Sequence, residues 1–226
     1  MLCCAVLESI LYIYNMHIIK LGHCCLLIEI NNVRILTDPG AWTTAQNTLQ
    51  DLDAILITHE HADHLHVESV QAILKNNPNA TLFTNHGVGA ILKKDSIPYR
   101  LLEDGQKDTI KNMQIEGHGQ KHADIYPSFP SVINTSYLID SRFFYPGDAL
   151  YNPERPVEIL ALPVAGPWLK LSEAIDYAKA LQPKLCFPVH DGMLRITGPF
   201  HALPEKILAS QGITFKPLEE GQHITV

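Results

Sequence analysis

Basic side chains are in short supply. The 17 Lys and Arg stand against 24 Asp and Glu, a net charge of −7. Non-specific nucleic-acid binding needs a surplus of cations facing phosphates, so this chain is poorly made for it. Cysteine is sparse and oddly spaced. Cys3, Cys4, Cys24, Cys25 and Cys186 include two adjacent pairs and no C-x-x-C, which is neither a disulfide framework nor a zinc-finger pattern. Thiols left reduced point to the cytoplasm. Cys24 and Cys25 are expected as small apolar residues of a strand. No run is long and apolar enough to span a bilayer, so no membrane association is expected. Residues 1–15 are fairly apolar but lack a basic start and contain Glu8, which argues against a signal peptide. A strand pattern begins directly after Met16. The domain is therefore read as 16–226, with 1–15 a non-native or loosely attached extension. No Gly/Ser-rich or Pro-rich linker and no internal repeat divides the chain. Gly87-Val88-Gly89 does not extend to G-x-G-x-x-G, since Leu92 stands at the last position, so a dinucleotide site has no support.

What is present is a globular composition. Hydrophobic residues make up 46% and charged residues 18% of 226, enough for one domain with its own core. Residues 24–30 and 33–37 read as strands joined by an Asn31-Asn32 turn. Residues 54–58 read as a buried strand and 65–76 as an amphipathic helix. A strand at 81–84, a helix at 87–94 and an alternating strand over 107–116 follow. Residues 132–139 and 142–145 suit a hairpin. The second half continues with strands at 157–162 and 184–189. Ser172 is expected to cap a helix to Leu181, with another helix at 203–210 and two short final strands. Hairpins followed by strand–helix alternation in each half predict an α/β fold: two packed sheets with helices outside, a four-layer αββα sandwich. A doubly wound parallel sheet is the alternative.

Histidine is the unusual residue. There are 12, and four fall within Thr58-His59-Glu60-His61-Ala62-Asp63-His64-Leu65-His66. The run lies between a strand and a helix. On a helix His59 and His61 would point to nearly opposite sides, whereas on a strand-end loop the side chains can converge. Imidazoles with a carboxylate suit Zn, Mn, Fe or Ni better than Ca or Mg.

This H-x-H-x-D-H run resembles the signature of the metallo-β-lactamase superfamily. Gly22-His23, the first hairpin and Thr37-Asp38-Pro39-Gly40 look like its N-terminal half. Phe144-Tyr145-Pro146-Gly147-Asp148 looks like its later Gly-Asp motif, and Pro188-Val189-His190-Asp191 like its last histidine. The resemblance implies two metal sites. His59 and His61 would bind one ion with a further histidine. Asp63, His64 and His190 would bind the other, and Asp148 would bridge them. The further histidine is His122 or His118, with His122 preferred for its His-Ala placement ahead of Asn134 and Tyr137. Two divalent ions about 3.5–4 Å apart can hold a bridging hydroxide at neutral pH and clamp substrate oxygens. Zn is the expected metal, with Mn or Fe as alternatives, and Asp63 is the expected catalytic base.

Asp38 is either a carboxylate that orients a ligating imidazole or a plain Asp-Pro-Gly turn. His23 is expected to pack beside the site. In the 163–170 loop, Trp168 could cover an apolar group of a substrate or pack in the core, and Lys170 could hold an anion or be solvated. Tyr137 is expected as a buried strand residue. His17, His66, His86, His201 and His223 are read as structural or surface residues.

The resemblance implies a metal-dependent hydrolase acting on a small molecule, a lactone or phosphodiester. A redox or sensing protein that binds metal without hydrolysis is the alternative. Superfamily members of that kind tend toward H-x-E-x-D with iron and flavin, whereas this chain has His61 and no flavin domain. A binding module without catalysis is disfavoured, because buried ionisable groups without metal are costly to keep.

Overall fold

The computed structural model describes residues 15–226. The extension expected at 1–15 lies, but for Asn15, outside them. The first half opens with three antiparallel strands, β1 (His17–Gly22), β2 (Cys25–Ile30) and β3 (Val33–Thr37). The β2–β3 turn is Asn31-Asn32 with φ of 50° and 62°, the left-handed pair that a two-residue hairpin requires. Parallel strands β4 (Ala54–Leu56), β5 (Thr81–Thr84) and β6 (Arg100–Leu101) extend this sheet, with helices α1 (Val67–Asn76) and α2 (His86–Lys94) as crossovers.

The second half begins with β7 (Lys107–Ile110) and β8 (Met113–His118). The alternation across 107–116 is therefore a hairpin rather than one strand. It turns at Lys111-Asn112 without breaking the polar–apolar rhythm, because Ile110 pairs with Met113. Then come β9 (Ser136–Ile139), β10 (Phe143–Tyr145), β11 (Ile159–Pro163), α3 (Leu171–Leu181), β12 (Leu185–Val189), α4 (Gly198–Ala209), β13 (Thr214–Phe215) and β14 (His223–Thr225). Ser172 does not cap α3. Lys170 stands at that position, and its backbone N–H donates to Glu173 Oε2 at 2.9 Å. Helix α4 starts earlier than expected, because Gly198-Pro199 opens it rather than forming a turn, and Pro is well tolerated in a first turn.

Two seven-stranded sheets result, ordered β14-β1-β2-β3-β4-β5-β6 and β13-β12-β11-β10-β9-β8-β7. The inner core joins them. Ile18, Leu26 and Ile28 from the first sheet pack with Ile115, Tyr137, Phe143 and Phe187 from the second. Outside, Ile55, Leu82, Val70, Ile73 and Leu92 seal α1 and α2 to the first sheet. Leu160, Cys186, Ala174, Ala178 and Leu208 seal α3 and α4 to the second. These are the four layers of the expected αββα sandwich, and the doubly wound alternative does not apply. Burying each large apolar side chain contributes about 1.5–3 kcal/mol. Among the described residues, no helix is long and apolar enough to cross a membrane.

Candidate metal centre

The residues of interest leave the carboxyl ends of strands at one edge of the sandwich. Asp38 follows β3, the 58–64 run follows β4, His122 follows β8, Asp148 follows β10 and His190 follows β12. Loops at this edge of parallel strands converge without interrupting the sheet, the usual place for a ligand site.

Local sequence ties these loops together. The 38–41 turn is laced to the histidine run by Ala41 N–H to Ala62 O (2.7 Å) and His66 N–H to Pro39 O (3.2 Å). Gly40 permits this approach, since a Cβ there would lie 1.9 Å from the Asp63 carbonyl oxygen. Asn85 caps α2 through Val88 N–H and donates to Thr58 O at 2.8 Å. Asn134 donates to Pro146 O (2.9 Å) and accepts the Asp148 N–H (3.0 Å), presenting Asp148 from the left-handed Gly147 turn at φ 63°.

The ring orientations follow from hydrogen bonding. Asp38 is fully buried and accepts from Thr58 N–H (2.8 Å), Thr58 Oγ1–H (2.7 Å) and His64 Nδ1–H (2.7 Å). That leaves His64 Nε2 for the site. The Thr58 hydroxyl has given its proton to Asp38, so it accepts from His59 Nδ1 at 3.0 Å, which frees His59 Nε2. His122 Nδ1 donates to Ala123 O at 2.5 Å, which aims Nε2 inward. These backing contacts are the kind that fix a ligating tautomer.

The inward atoms meet around Asp148. Its Oδ2 lies 3.0 Å from His190 Nε2, 3.3 Å from His122 Nε2 and 3.8 Å from His59 Nε2. Its Oδ1 lies 3.2 Å from His64 Nε2. His61 Nδ1 sits 3.1 Å from His59 Nε2. Asp63 Oδ2 is 3.4 Å from His190 Nε2 and 3.7 Å from His64 Nε2. Yet His64 Nε2, His122 Nε2, both His190 nitrogens and Asp148 Oδ1 are buried without an aligned hydrogen bond. Buried polar atoms are normally paired, so this convergence is what cations would satisfy. Among the described residues, two groups have donor atoms close enough to hold an ion: His59, His61, His122 and Asp148, and His23, Cys24, His64 and His190.

Charge follows the same division. Burial works to lift the Asp148 carboxyl, but His64 and His190 hold it well below the usual carboxylate range. Burial opposes charge on His190, yet Cys24 and Asp148 push it up to about 10. His64 is likewise raised by Asp148, Cys24 and Asp38 against its burial. His59 is driven well below 6.5 by burial and by His64. Without a cation, His64 and His190 hold a proton more readily than an ordinary imidazole, and His59 less readily.

The structure brings together His59, His61, Asp63, His64, His122, Asp148 and His190, with Asp38 behind His64. It brings in His122 and not His118, whose ring packs edge-on against Phe144 and at a tilt to Tyr151. His23 packs beside the site as expected and does more. Its Nδ1 accepts Gly192 N–H (3.1 Å), so Nε2–H faces Asp63 Oδ2 (3.2 Å). Trp168 is buried, as the packing alternative has it, and donates to Asp148 Oδ2 at 2.9 Å. Lys170 lies outside the cluster, exposed and 3.8 Å from Glu173. Tyr137 is buried, its hydroxyl donating to Ile57 O. Sequence reasoning missed Cys24 at the centre, and a signal was available: it directly follows His23 at the strand's entry. His201, read as structural or surface, is structural: it is buried 2.9 Å from Asp191 Oδ2.

Comparison with known proteins decides the family. The model for a beta-lactamase superfamily domain matches residues 17–190. The chain belongs to the metallo-β-lactamase superfamily. Protein Rv0786c of Mycobacterium tuberculosis is 36% identical over 184 residues, covering 79% of this chain and 85% of that protein. A UPF0173 metal-dependent hydrolase of Methanocaldococcus jannaschii is 23% identical, covering 75% and 81%. The crystal structure of the metallo-β-lactamase fold protein YhfI from Bacillus subtilis superimposes with a TM-score of 0.73 at 14% identity. That match covers 94% of this chain and all of YhfI. The superfamily's H-x-H-x-D-H run is here the 59–64 loop.

Proposed function

We propose that this protein is a metal-dependent hydrolase with two divalent transition-metal ions, Zn foremost. The observation that carries the reading is the set of buried, unpaired donor atoms converging on Asp148. His59, His61 and His122 would hold one ion and Asp63, His64 and His190 the other, with Asp148 between them. Ions bound there would supply Lewis acidity and activate water at neutral pH. The protein's own part is orientation and proton handling. Asp38 and Thr58 hold His64 and His59 in register, and Trp168 and Asn134 hold Asp148. Asp63 is the proton acceptor, held ionised by His190 and His23 against its own burial. Its side chain is 15% exposed, so it remains within reach of a substrate.

The substrate is a small molecule, a lactone or phosphodiester, met in the cytoplasm. A cleft of about 250 Å³ beside His122, lined by Lys121, Ala123, Asp124, Ala149, Leu150 and Tyr151, supports that scale. The net charge of −7 argues against nucleic acid. The names of relatives such as the M. jannaschii hydrolase support the reaction class. The test is elemental analysis of the purified protein, then a panel of phosphodiesters, lactones, thioesters and a chromogenic β-lactam. Two ions per chain, and turnover lost in His59→Ala, are expected. A metal-reconstituted protein that holds none, or whose metal content is indifferent to His59→Ala, would overturn the reading.

A further inference from the structure

The His64–His190 side of the centre contains a sulfur atom that the superfamily resemblance did not supply. Cys24 sits in the turn just before β2, its carbonyl accepting from Thr37 Oγ1–H at 3.1 Å and lying 2.8 Å from Tyr145 Oη. Its side chain packs with the residues between the sheets, whereas that of Cys25 packs with those facing α1 and α2. Cys24 is buried, so this packing holds its side chain against the metal centre. Its Sγ and one ring nitrogen each of His23, His64 and His190 all lie within 4.8 Å of one another.

Three histidines share that space, and only two are free to bind. His23 uses Nδ1 for Gly192 and Nε2 for Asp63. His64 uses Nδ1 for Asp38, leaving Nε2 unpaired, and His190 leaves both nitrogens unpaired. All three free nitrogens are buried. With Cys24 Sγ they make a nitrogen–nitrogen–sulfur face, and Asp148 Oδ1 stands 3.2 Å from His64 Nε2 to complete it. A thiolate and an imidazole on one tetrahedral ion sit roughly 3.5 Å apart, inside the observed reach.

We propose that Cys24 is a thiolate ligand of the ion held by His64 and His190, so that the two positions of the centre differ in softness. The inference rests on the metal-centre reading above. The His59–His61–His122 position offers nitrogen and oxygen alone. The Cys24 position offers sulfur as well, and thiolate favours Zn, Co or Cd over Mn or Mg. On this basis Mn loads the first position and leaves the second for a thiophilic ion.

Cobalt substitution tests this without any substrate. Co(II) bound by thiolate shows an intense near-ultraviolet charge-transfer band, whereas Co(II) bound by imidazole and carboxylate alone does not. Titration of the metal-free chain should produce the band. Cys24→Ser should lose it while still binding cobalt at the first position. A chain with Cys3, Cys4, Cys25 and Cys186 replaced by Ala should keep it, which assigns the band to Cys24, while the cobalt retained at the first position shows that the serine variant folds. Cobalt bound without the band in the wild-type chain overturns the role of Cys24 and leaves the metal centre standing. So does a band that survives Cys24→Ser. Failure to bind cobalt at all overturns both.

Discussion

Trp168 Nε1 donates a hydrogen bond to Asp148 Oδ2 at 2.9 Å. Asp148 lies within 3.8 Å of ring nitrogens of His59, His64, His122 and His190, so the indole holds a group that faces both sides of the centre. Trp168→Phe keeps most of the ring volume and removes the donor. We expect metal affinity to fall by about 10–100-fold, the usual cost of losing such a backing contact. Metal titration beside a denaturation curve checks it. Unchanged affinity would reduce Trp168 to a packing residue.

His122 and His118 separate by the same titration. His122 Nε2 faces Asp148 Oδ2, whereas His118 packs against Phe144 and Tyr151. His122→Ala should remove one ion and most activity, and His118→Ala should leave both ions bound. The reverse order would make His118 the ligand.

Much of this arrangement was readable from the chain. Asn31-Asn32 announced a hairpin, and the 59–64 run announced a loop whose side chains converge, because each signal lies within a few residues. The Lys111-Asn112 turn was hidden because alternation continued through it unbroken. Trp168 on Asp148 and His23 on Asp63 join loops from different strands, and His201 on Asp191 joins α4 to the loop after β12; no local pattern encodes such a meeting. Cys24 is expected as an apolar strand residue, but β2 begins one residue later and Cys24 is buried in the turn before it. What periodicity does not say is which face of that strand ends at the centre.

Lys20 and Asp191 bridge the two sheets directly behind His190. Lys20 Nζ donates to Asp191 Oδ1 at 2.6 Å and to the Pro188 and Leu218 carbonyls, with both side chains buried. Asp191 Oδ2 meets His201 Nε2 at 2.9 Å. Lys20→Met leaves a buried carboxylate without its lysine, which costs about 3–5 kcal/mol. A lower denaturant midpoint at unchanged slope is expected. A loss below about 1 kcal/mol would show that His201 alone suffices for Asp191.

Cation binding at the His64–His190 side should strengthen with pH. Cys24 and Asp148 push His190 up to about 10 in the metal-free chain against its burial, so an ion must displace a proton there. Raising the pH removes that competitor until the pH passes about 10. The sign for stability is opposite. A histidine raised above 6.5 stabilises the metal-free fold fully below that value, and the contribution is lost as pH rises through about 10. Affinity that is flat with pH, with no proton release in a weakly buffered titration, would contradict this.

Asp63→Asn should abolish turnover while the chain stays folded. Helix α1 begins at Val67 with His66 at its cap, so Asp63 is not a helix cap whose loss would unravel the loop. Its Oδ2 instead lies 3.2 Å from His23 Nε2, 3.4 Å from His190 Nε2 and 3.7 Å from His64 Nε2. Asparagine keeps the shape but removes the charge that all three histidines face. It also removes the group proposed to accept a proton, a contribution of typically 10²–10⁴-fold. The second ion should weaken together with kcat on whichever panel substrate is turned over, and the circular dichroism spectrum should not change. A variant holding two ions at near-normal kcat would leave Asp63 as a hydrogen-bond partner of His23. The proton would then have to pass to Asp148, the other carboxylate within reach of His190.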